Sequence, residues 1–176
     1  MGGVRKRHVH ARRAPRPVGC AIITVSDTRG QEDDPSGDRI AALLERAGHV
    51  VEWRAWVRDQ TAAIRRAART ALARRGVDVL ILTGGTGIAP RDVTSEAIAP
   101  LIEKPLPGFG ERFRALSSAQ VGSAAWLSRA MAGIARGRLV VALPGSTAAV
   151  SLAVSRLLVP ELGHAVRLLE RFKEGD

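Results

Sequence analysis

The sequence predicts an α/β fold, a three-layer α/β/α sandwich in which helices cover both faces of a mostly parallel sheet. Short apolar runs alternate along the chain with segments of helical periodicity, as in repeated strand–helix units. The apolar runs are continuous, which is typical of strands that are buried on both faces. Of the 176 residues 45% are hydrophobic but only 3% are aromatic, so Ala, Val, Leu and Ile must fill the core.

The first half of the chain contains three predicted strands and two predicted helices. The strands are expected at Cys20–Val25, at Val50–Val57 and from Val79 onward. Ser36 is expected to cap the first helix, which ends near Ala47 because Gly48 follows. The second helix is expected over Thr61–Arg75, with its row of arginines on a solvated face.

The second half continues the pattern with shorter elements. Helical pieces are expected at Ser95–Leu101 and Phe109–Leu116, and a turn is expected at Gly133–Gly137, where a hairpin is one interpretation. A further strand at Leu139–Leu143 precedes two helices, which are expected to break near Pro160 and to end at Phe172. These elements predict a single domain over residues 18–176.

Residues 1–17 form a separate segment by composition. They contain six of the 27 basic residues and no acidic residue, and almost nothing apolar, which predicts a disordered basic arm. A nucleic-acid role for this arm is the alternative; it predicts salt-dependent binding that disappears when residues 1–17 are deleted. Because no nucleic-acid motif follows, that role is ranked last. No segment is expected to span a membrane, and no targeting signal is recognised, so the expected location is cytoplasmic.

Three loops are expected to meet at one edge of the sheet. They are the segments Ser26-Asp27-Thr28-Arg29, 83–92 and 144–147, each of which directly follows a predicted strand. In parallel α/β sheets, ligands bind beyond the carboxyl ends of the strands. The convergence of these loops therefore predicts the binding site.

The glycine-rich loop after the third strand is the main candidate for phosphate binding. It consists of Thr83, Gly84, Gly85, Thr86 and Gly87, and Arg91 and Asp92 follow closely. Glycines let a backbone turn sharply and expose N–H groups to an anion, although a plain tight turn is the alternative. The segment Pro144, Gly145 and Ser146 opens a helix, where either phosphate binding or simple capping is possible.

Two aspartates and one Ser-Arg pair complete the candidate site. Asp59 ends the second strand and could share a magnesium ion with Asp92, although alone it would rather cap the Thr61 helix. Ser128 and Arg129 offer a hydroxyl and a guanidinium, with surface ion pairing as the alternative. The acidic residues Glu32, Asp33, Asp34 and Asp38 are interpreted as a solvated loop. The histidines form no metal set, and Cys20 is interpreted as a core residue.

Taken together, these residues resemble the MogA/MoaB family of molybdenum cofactor biosynthesis proteins, of the molybdopterin adenylyltransferase type. The resemblance covers about residues 18–172. It rests on motifs in the family's order: Ser26-Asp27, Ser36-Gly37, Asp59, Thr83-Gly-Gly-Thr-Gly87, Arg91-Asp92-Val93-Thr94, Pro107-Gly108-Phe109-Gly110-Glu111, Leu127-Ser128-Arg129 and Leu143-Pro144-Gly145-Ser146. The basic arm is not part of the family pattern.

The resemblance implies a function and an assembly. Such proteins form trimers or hexamers and use Mg²⁺ and ATP to adenylylate molybdopterin, which then receives molybdate, usually from a partner protein. Asp59 and Asp92 would hold magnesium and organise the phosphates. The glycine loop, with Gly145 and Ser146, would cradle the nucleotide or pterin phosphate, Ser128 and Arg129 would contact substrate, and Asp27 would order the site. The alternative within the family is a non-catalytic molybdopterin- or nucleotide-binding scaffold or carrier.

Overall fold

A computed structural model describes residues 17–27 and 32–170. The predicted arm therefore lies almost wholly outside the described residues, as do residues 28–31 and the last predicted helical residues beyond Glu170. Six strands form one sheet in the order β2-β1-β3-β6-β5-β4, numbered along the chain. The strands are β1 Gly19–Val25, β2 Val50–Val57, β3 Val79–Thr83, β4 Lys104–Pro105, β5 Met131–Ala135 and β6 Arg138–Leu143.

The helices pack on both faces of the sheet, which confirms the predicted three-layer α/β/α sandwich. They are α1 Pro35–Arg46, α2 Thr61–Ala73, α3 Thr94–Ile98, α4 Pro107–Val121, α5 Thr147–Ala153 and α6 Leu162–Glu170. Short 3₁₀ segments follow α3 and α4, and a π-helical turn over Val154–Leu158 extends α5. α4 is longer than the piece predicted at Phe109–Leu116, because Pro107 starts it and Gly122, with φ 59°, ends it.

Each face of the sheet has its own hydrophobic core. Successive strand residues point to opposite faces, so Ile22 and Ile81 pack with α1, α4, α5 and α6, whereas Ile23 and Leu82 pack with α2 and α3. All four side chains are fully buried. This double burial explains why the central strands are continuous apolar runs.

The sheet is parallel through β2, β1, β3 and β6, and antiparallel at its other edge. β5 and β6 form a hairpin whose two turn residues, Arg136 and Gly137, both have positive φ, at 53° and 67°. Such a turn matches the twist of a two-stranded ribbon. The predicted hairpin is confirmed, but the turn is shorter than the predicted range because Gly133 belongs to β5, where a side chain would overlap Ile102.

The start of α1 differs from the prediction. Asp34, not Ser36, is the N-cap: its Oδ1 accepts a hydrogen bond from the Gly37 N–H at 2.9 Å, and Pro35 occupies the first helical turn. Asp34 is also only 9% exposed. Its interpretation as part of a solvated acidic loop is therefore wrong, because the carboxylate turns inward beneath the sheet edge.

No single helix in residues 17–27 and 32–170 has the length and apolar composition needed to cross a bilayer. Within these residues, the helices Thr147–Leu158 and Leu162–Glu170 are together long and apolar enough for a membrane span. Their axes, however, differ in direction by 58°.

Candidate active site

The carboxyl ends of four parallel strands meet at one edge of the sheet. Asp27 lies two residues beyond β1 and Asp59 two residues beyond β2, whereas Gly84 and Pro144 directly follow β3 and β6. Since β2, β1, β3 and β6 are neighbours in register, these four ends are adjacent. The structure thus brings together Ser26 and Asp27 of the first predicted loop, the other two predicted loops and the end of β2, which carries Asp59.

Two adjoining cavities open at this edge. The first, the carboxylate cavity, has a volume of about 150 Å³ and is lined by Val25, Ser26, Asp27, Asp59, Gly85, Arg91 and Asp92. The second, the hydroxyl cavity, has about 160 Å³ and is lined by Thr24, Val25, Ser26, Asp34, Ser36, Thr83 and Gly145. Val25 and Ser26 line both, so the two cavities are parts of one depression.

Three aspartates are held in the carboxylate cavity by backbone N–H groups. Asp27 Oδ1 accepts from the Asp59 N–H at 3.0 Å, and Asp59 Oδ1 accepts from the Val93 N–H at 3.3 Å. Asp92 Oδ2 accepts from the Ala89 N–H at 2.8 Å. Asp59 does not cap α2, since Gln60 is the N-cap residue and makes no side-chain capping bond. The carboxylates are therefore oriented by neighbouring loops.

The electrostatics of this cavity favour a bound cation. Burial, followed by the negative charges of Asp92 and Asp27, raises the pKa of Asp59, although the Val93 N–H and the charge of Arg91 act in the opposite direction. Burial and the two negative charges each make the ionised form of the carboxylate less favourable. A divalent cation would relieve the repulsion among the three aspartates.

The donor set fits magnesium that is carried with a phosphorylated substrate. Among the described residues, no three His, Cys, Asp or Glu side chains lie close enough to hold a metal ion by themselves. Mg²⁺ usually takes one or two carboxylates and completes its shell with water and substrate phosphates. Asp59 and Asp92 would supply those carboxylates.

Replacing Asp59 by Asn should stabilise the metal-free protein at neutral pH. Because the pKa of Asp59 is raised on folding above its ordinary value of 3.8, the folded state holds that proton more tightly than the unfolded chain. The ionised carboxylate therefore costs stability above the folded-state pKa, and this cost vanishes below the unfolded pKa. We expect the gain in Tm of Asp59→Asn over wild type to shrink as the pH falls from about 7 to about 3.5. A gain that grows on acidification would contradict this.

The glycine loop depends on backbone conformations that favour glycine. Gly84 and Gly85 have φ values of 100° and 63°, and a Cβ on Gly85 would lie 2.6 Å from Asp59 Oδ1. Thr94 closes the loop, because its N–H donates to Gly85 O at 2.9 Å and its hydroxyl donates to Gly84 O at 2.8 Å. Gly85 therefore admits the Asp59 carboxylate, and Thr94 is a supporting residue for which the sequence suggested no separate role.

The other loop residues face different surroundings. A Cβ on Gly87 would lie 2.6 Å from Asp92 Oδ2, so Gly87 leaves space for that carboxylate. Thr86 is 1% exposed, and its hydroxyl has no hydrogen-bond partner among the described residues. Thr86 thus lies beneath the loop, and its predicted contact with a ligand stays a prediction.

Three hydroxyl groups that line the hydroxyl cavity already donate hydrogen bonds within the protein. Thr83 donates to Pro144 O at 3.0 Å, and Ser36 donates to Gly145 O at 2.7 Å. Thr24 donates to Asp34 Oδ2 at 2.7 Å. Since a carbonyl or carboxylate can only accept, these hydroxyls present lone pairs to the cavity. Phosphate binding by the predicted residue Thr83 would therefore require its hydroxyl to turn.

Asp34 is the functional candidate that the sequence interpretation missed. Besides Thr24 and Gly37, it accepts from Arg54 at 3.0 Å, so its charge is neutralised inside the fold. Asp followed by Pro at a helix start is a capping signature that could have identified it.

Ser146 caps a helix. Its hydroxyl accepts a hydrogen bond from the Ala149 N–H at 3.2 Å at the start of α5, and such capping was the alternative to phosphate binding.

Ser128 and Arg129 lie behind the glycine loop. Among the described residues, neither lines the two cavities. Ser128 Oγ accepts from the Ala130 N–H at 3.3 Å, while the Arg129 guanidinium donates to Gly87 O at 2.7 Å and to Asp92 O at 2.5 Å. Their predicted contact with substrate stays a prediction, and the bonds present here connect them to the loop.

The single cysteine of the chain, Cys20, lies near the start of β1, at the end of that strand opposite to the two cavities. It is buried, and burial, followed by the charges of Asp78 and Glu52, raises its pKa to about 12. Its thiol is therefore neutral at physiological pH and behaves as a small core residue, as predicted.

Comparisons with known proteins agree with this architecture. A family model described as "Probable molybdopterin binding domain" matches residues 21–164. Molybdenum cofactor biosynthesis protein B of Bacillus subtilis (strain 168) is 47% identical over 165 residues, which cover 93% of this chain and 97% of that protein.

Solved structures give the same result. A crystal structure of molybdenum cofactor biosynthesis protein B superposes with a TM-score of 0.87 at 44% identity, and the match covers 90% of this chain and 99% of that chain. The tungsten cofactor synthesizing protein MoaB from Pyrococcus furiosus superposes with a TM-score of 0.75 at 38% identity, over 89% and 99% of the two chains.

Proposed function

Because this chain belongs to the MogA/MoaB family of molybdenum cofactor biosynthesis proteins, we propose that it adenylylates molybdopterin with ATP and Mg²⁺. The products are adenylylated molybdopterin and pyrophosphate. The observation that carries the proposal is the carboxylate cavity, in which Asp27, Asp59 and Asp92 lie together with the cation Arg91.

The proposed reaction is a nucleotidyl transfer. An oxygen of the terminal phosphate of molybdopterin attacks the α-phosphorus of ATP, a new P–O bond forms, and the bond to pyrophosphate breaks. Such transfers depend on positioning and on neutralisation of phosphate charge, so no protein nucleophile is required. This requirement matches a site whose carboxylates are oriented by backbone N–H groups.

The four charged residues of the carboxylate cavity each have a role in the proposal. Asp59 and Asp92 hold Mg²⁺, which supplies charge neutralisation to the phosphates of ATP. Arg91 is exposed at the rim and neutralises phosphate charge directly. Asp27 accepts from the Asp59 N–H and so orients the backbone that carries Asp59.

A second function within the family is binding without turnover, as a scaffold or carrier for the pterin or the nucleotide. The pair of aspartates favours the enzyme, since a carrier needs no repelling carboxylates beside its phosphate site. The residues of the glycine loop and Gly145 would serve both functions.

The decisive experiment is incubation of the full chain with molybdopterin, ATP and Mg²⁺. We expect adenylylated pterin and pyrophosphate in equal amounts, and no product when EDTA replaces Mg²⁺. Tight pterin binding without product would reject the enzyme and support the carrier.

The proposal extends to assembly. We propose a homotrimer or hexamer, and transfer of the product to a molybdate-insertion partner. Light scattering of the purified chain measures its oligomeric state. A monomer at micromolar concentration would contradict the proposed trimer or hexamer.

A further inference from the structure

The Arg129 side chain joins three parts of the loop that carries Asp92. Its Nε donates to Gly87 O at 2.7 Å, its Nη2 donates to Asp92 O at 2.5 Å, and its Nη1 forms an ion pair with Glu96. The backbone adds a fourth connection, since the Arg129 N–H donates to Thr86 O at 2.9 Å. One residue from a distant part of the chain thus spans the segment from Thr86 to Glu96.

These bonds act where the loop has little other support. Thr94 ties its ends to Gly84 and Gly85, whereas between them Asp92 and Ala89 bond mainly to each other: the Asp92 N–H donates to Ala89 O at 2.8 Å, and the Ala89 N–H donates to Asp92 Oδ2. This small turn is exposed at Ala89, Pro90 and Arg91. Two bonds connect the turn to the rest of the protein: the one from Arg129 to Asp92 O, and the one from the Val93 N–H to Asp59 Oδ1 at 3.3 Å.

Only arginine can make this set of contacts at once. The planar guanidinium presents several N–H donors in a fixed fork, whereas the lysine ammonium is a single point at the end of a flexible chain. Glu96 neutralises the charge, and the bond from Arg129 lowers the pKa of Glu96, which keeps the carboxylate ionised.

We infer that Arg129, braced by Glu96, is a positioning residue that fixes the Asp92 carboxylate in the cavity, and that it is not itself a phosphate ligand. The inference deepens the proposed function and, for its kinetic part, rests on it. Two observations carry it: three acceptors occupy the guanidinium, and among the described residues Arg129 lines neither cavity.

The test compares Arg129→Lys with a matched control, Arg138→Lys. Arg138 also donates to three backbone carbonyls, those of Leu72, Arg74 and Val77, but at the opposite end of the sheet. Both variants lose a three-acceptor arginine and keep the positive charge. The Tm values of the two variants measure how much stability is lost when such an arginine is replaced. An effect seen only in Arg129→Lys can then be assigned to the loop that carries Asp92.

Two readouts are expected to change in Arg129→Lys and not in Arg138→Lys. Amide hydrogen exchange in peptides covering residues 85–93 should become about tenfold faster, because the turn loses one of its two connections to the rest of the protein and only the bond from Val93 to Asp59 is left. The kcat for adenylylation should fall by about 10- to 100-fold with little change in KM, since a misplaced carboxylate affects the reacting geometry. Glu96→Gln should change both in the same direction, but less.

The opposite pattern would overturn the inference. A phosphate ligand predicts a raised KM in Arg129→Lys with unchanged exchange in residues 85–93. Faster exchange with wild-type kcat would also reject it, as would equal effects in the Arg138→Lys control. If the wild-type protein shows no turnover, the proposed function fails, and the inference is then tested by hydrogen exchange in residues 85–93 alone. Loss of protection from exchange in Arg129→Lys but not in Arg138→Lys supports the inference. Unchanged protection in Arg129→Lys rejects it.

Discussion

Asp92→Asn should lower the rate of molybdopterin adenylylation by about 10²- to 10³-fold while the Kd for molybdopterin changes less than about threefold. The asparagine can keep an oxygen facing the Ala89 N–H, so the turn that holds residue 92 is preserved. It removes only the negative charge that Mg²⁺ requires. Single-turnover kinetics at saturating ATP and a pterin-fluorescence titration measure the two quantities.

A surface carboxylate and a double variant complete this experiment. Glu45→Gln changes an exposed carboxylate at the end of α1, outside the motifs and both cavities, and should leave rate and affinity unaltered. If Asp59 and Asp92 share one cation, the rate loss in Asp59→Asn/Asp92→Asn should be smaller than the product of the single losses. Equal losses in rate and in pterin affinity for Asp92→Asn would contradict the assigned role.

Gly84→Ala should reduce the free energy of unfolding by about 3 kcal/mol or more. Its φ of 100° is unfavourable for a residue with a side chain, and a Cβ there would overlap the carbonyl oxygen of Val25, whose strand lies beside β3. Neither strand can shift easily, because residues of both are buried in the two cores. Chemical denaturation with urea, monitored by circular dichroism, measures the change.

Gly48→Ala is the matched control for the backbone contribution alone. Gly48 ends the turn after α1 with a φ of 81°, and nothing lies within 4 Å of a Cβ built on it. We expect a loss of about 1 kcal/mol, the cost of a left-handed conformation without a collision. Equal losses at the two positions would show that contact with Val25 contributes nothing.

The site and the fold make opposing demands at Asp59. The neighbouring aspartates destabilise its charge, yet the proposed chemistry needs that charge. Functional sites commonly retain such unfavourable groups because the surrounding structure is stable enough to hold them. The expected stabilisation in metal-free Asp59→Asn and its expected loss of turnover are two consequences of one arrangement.

From the sequence alone, the four parallel strands and the edge at which ligands are expected to bind could be predicted, whereas β4 and the strand β5 could not. Continuous apolar runs, helical periodicity and glycines after Thr83 are local features, and the parallel topology then places the ends of β1, β2, β3 and β6 together. For the same reason Asp59 and Asp92 could be paired before their positions were known.

Which polar groups face the cavities and which support them depends on contacts between distant parts of the chain. Asp34 turned inward although its neighbours in sequence are acidic, and the Ser36 hydroxyl found its acceptor at Gly145, 109 residues away. Arg129 bonds to Asp92 O across 37 residues and lies behind the loop, outside the linings of both cavities. The orientation of a hydroxyl or a guanidinium depends on acceptors that folding brings within about 3 Å, and no local pattern in the chain encodes that distance.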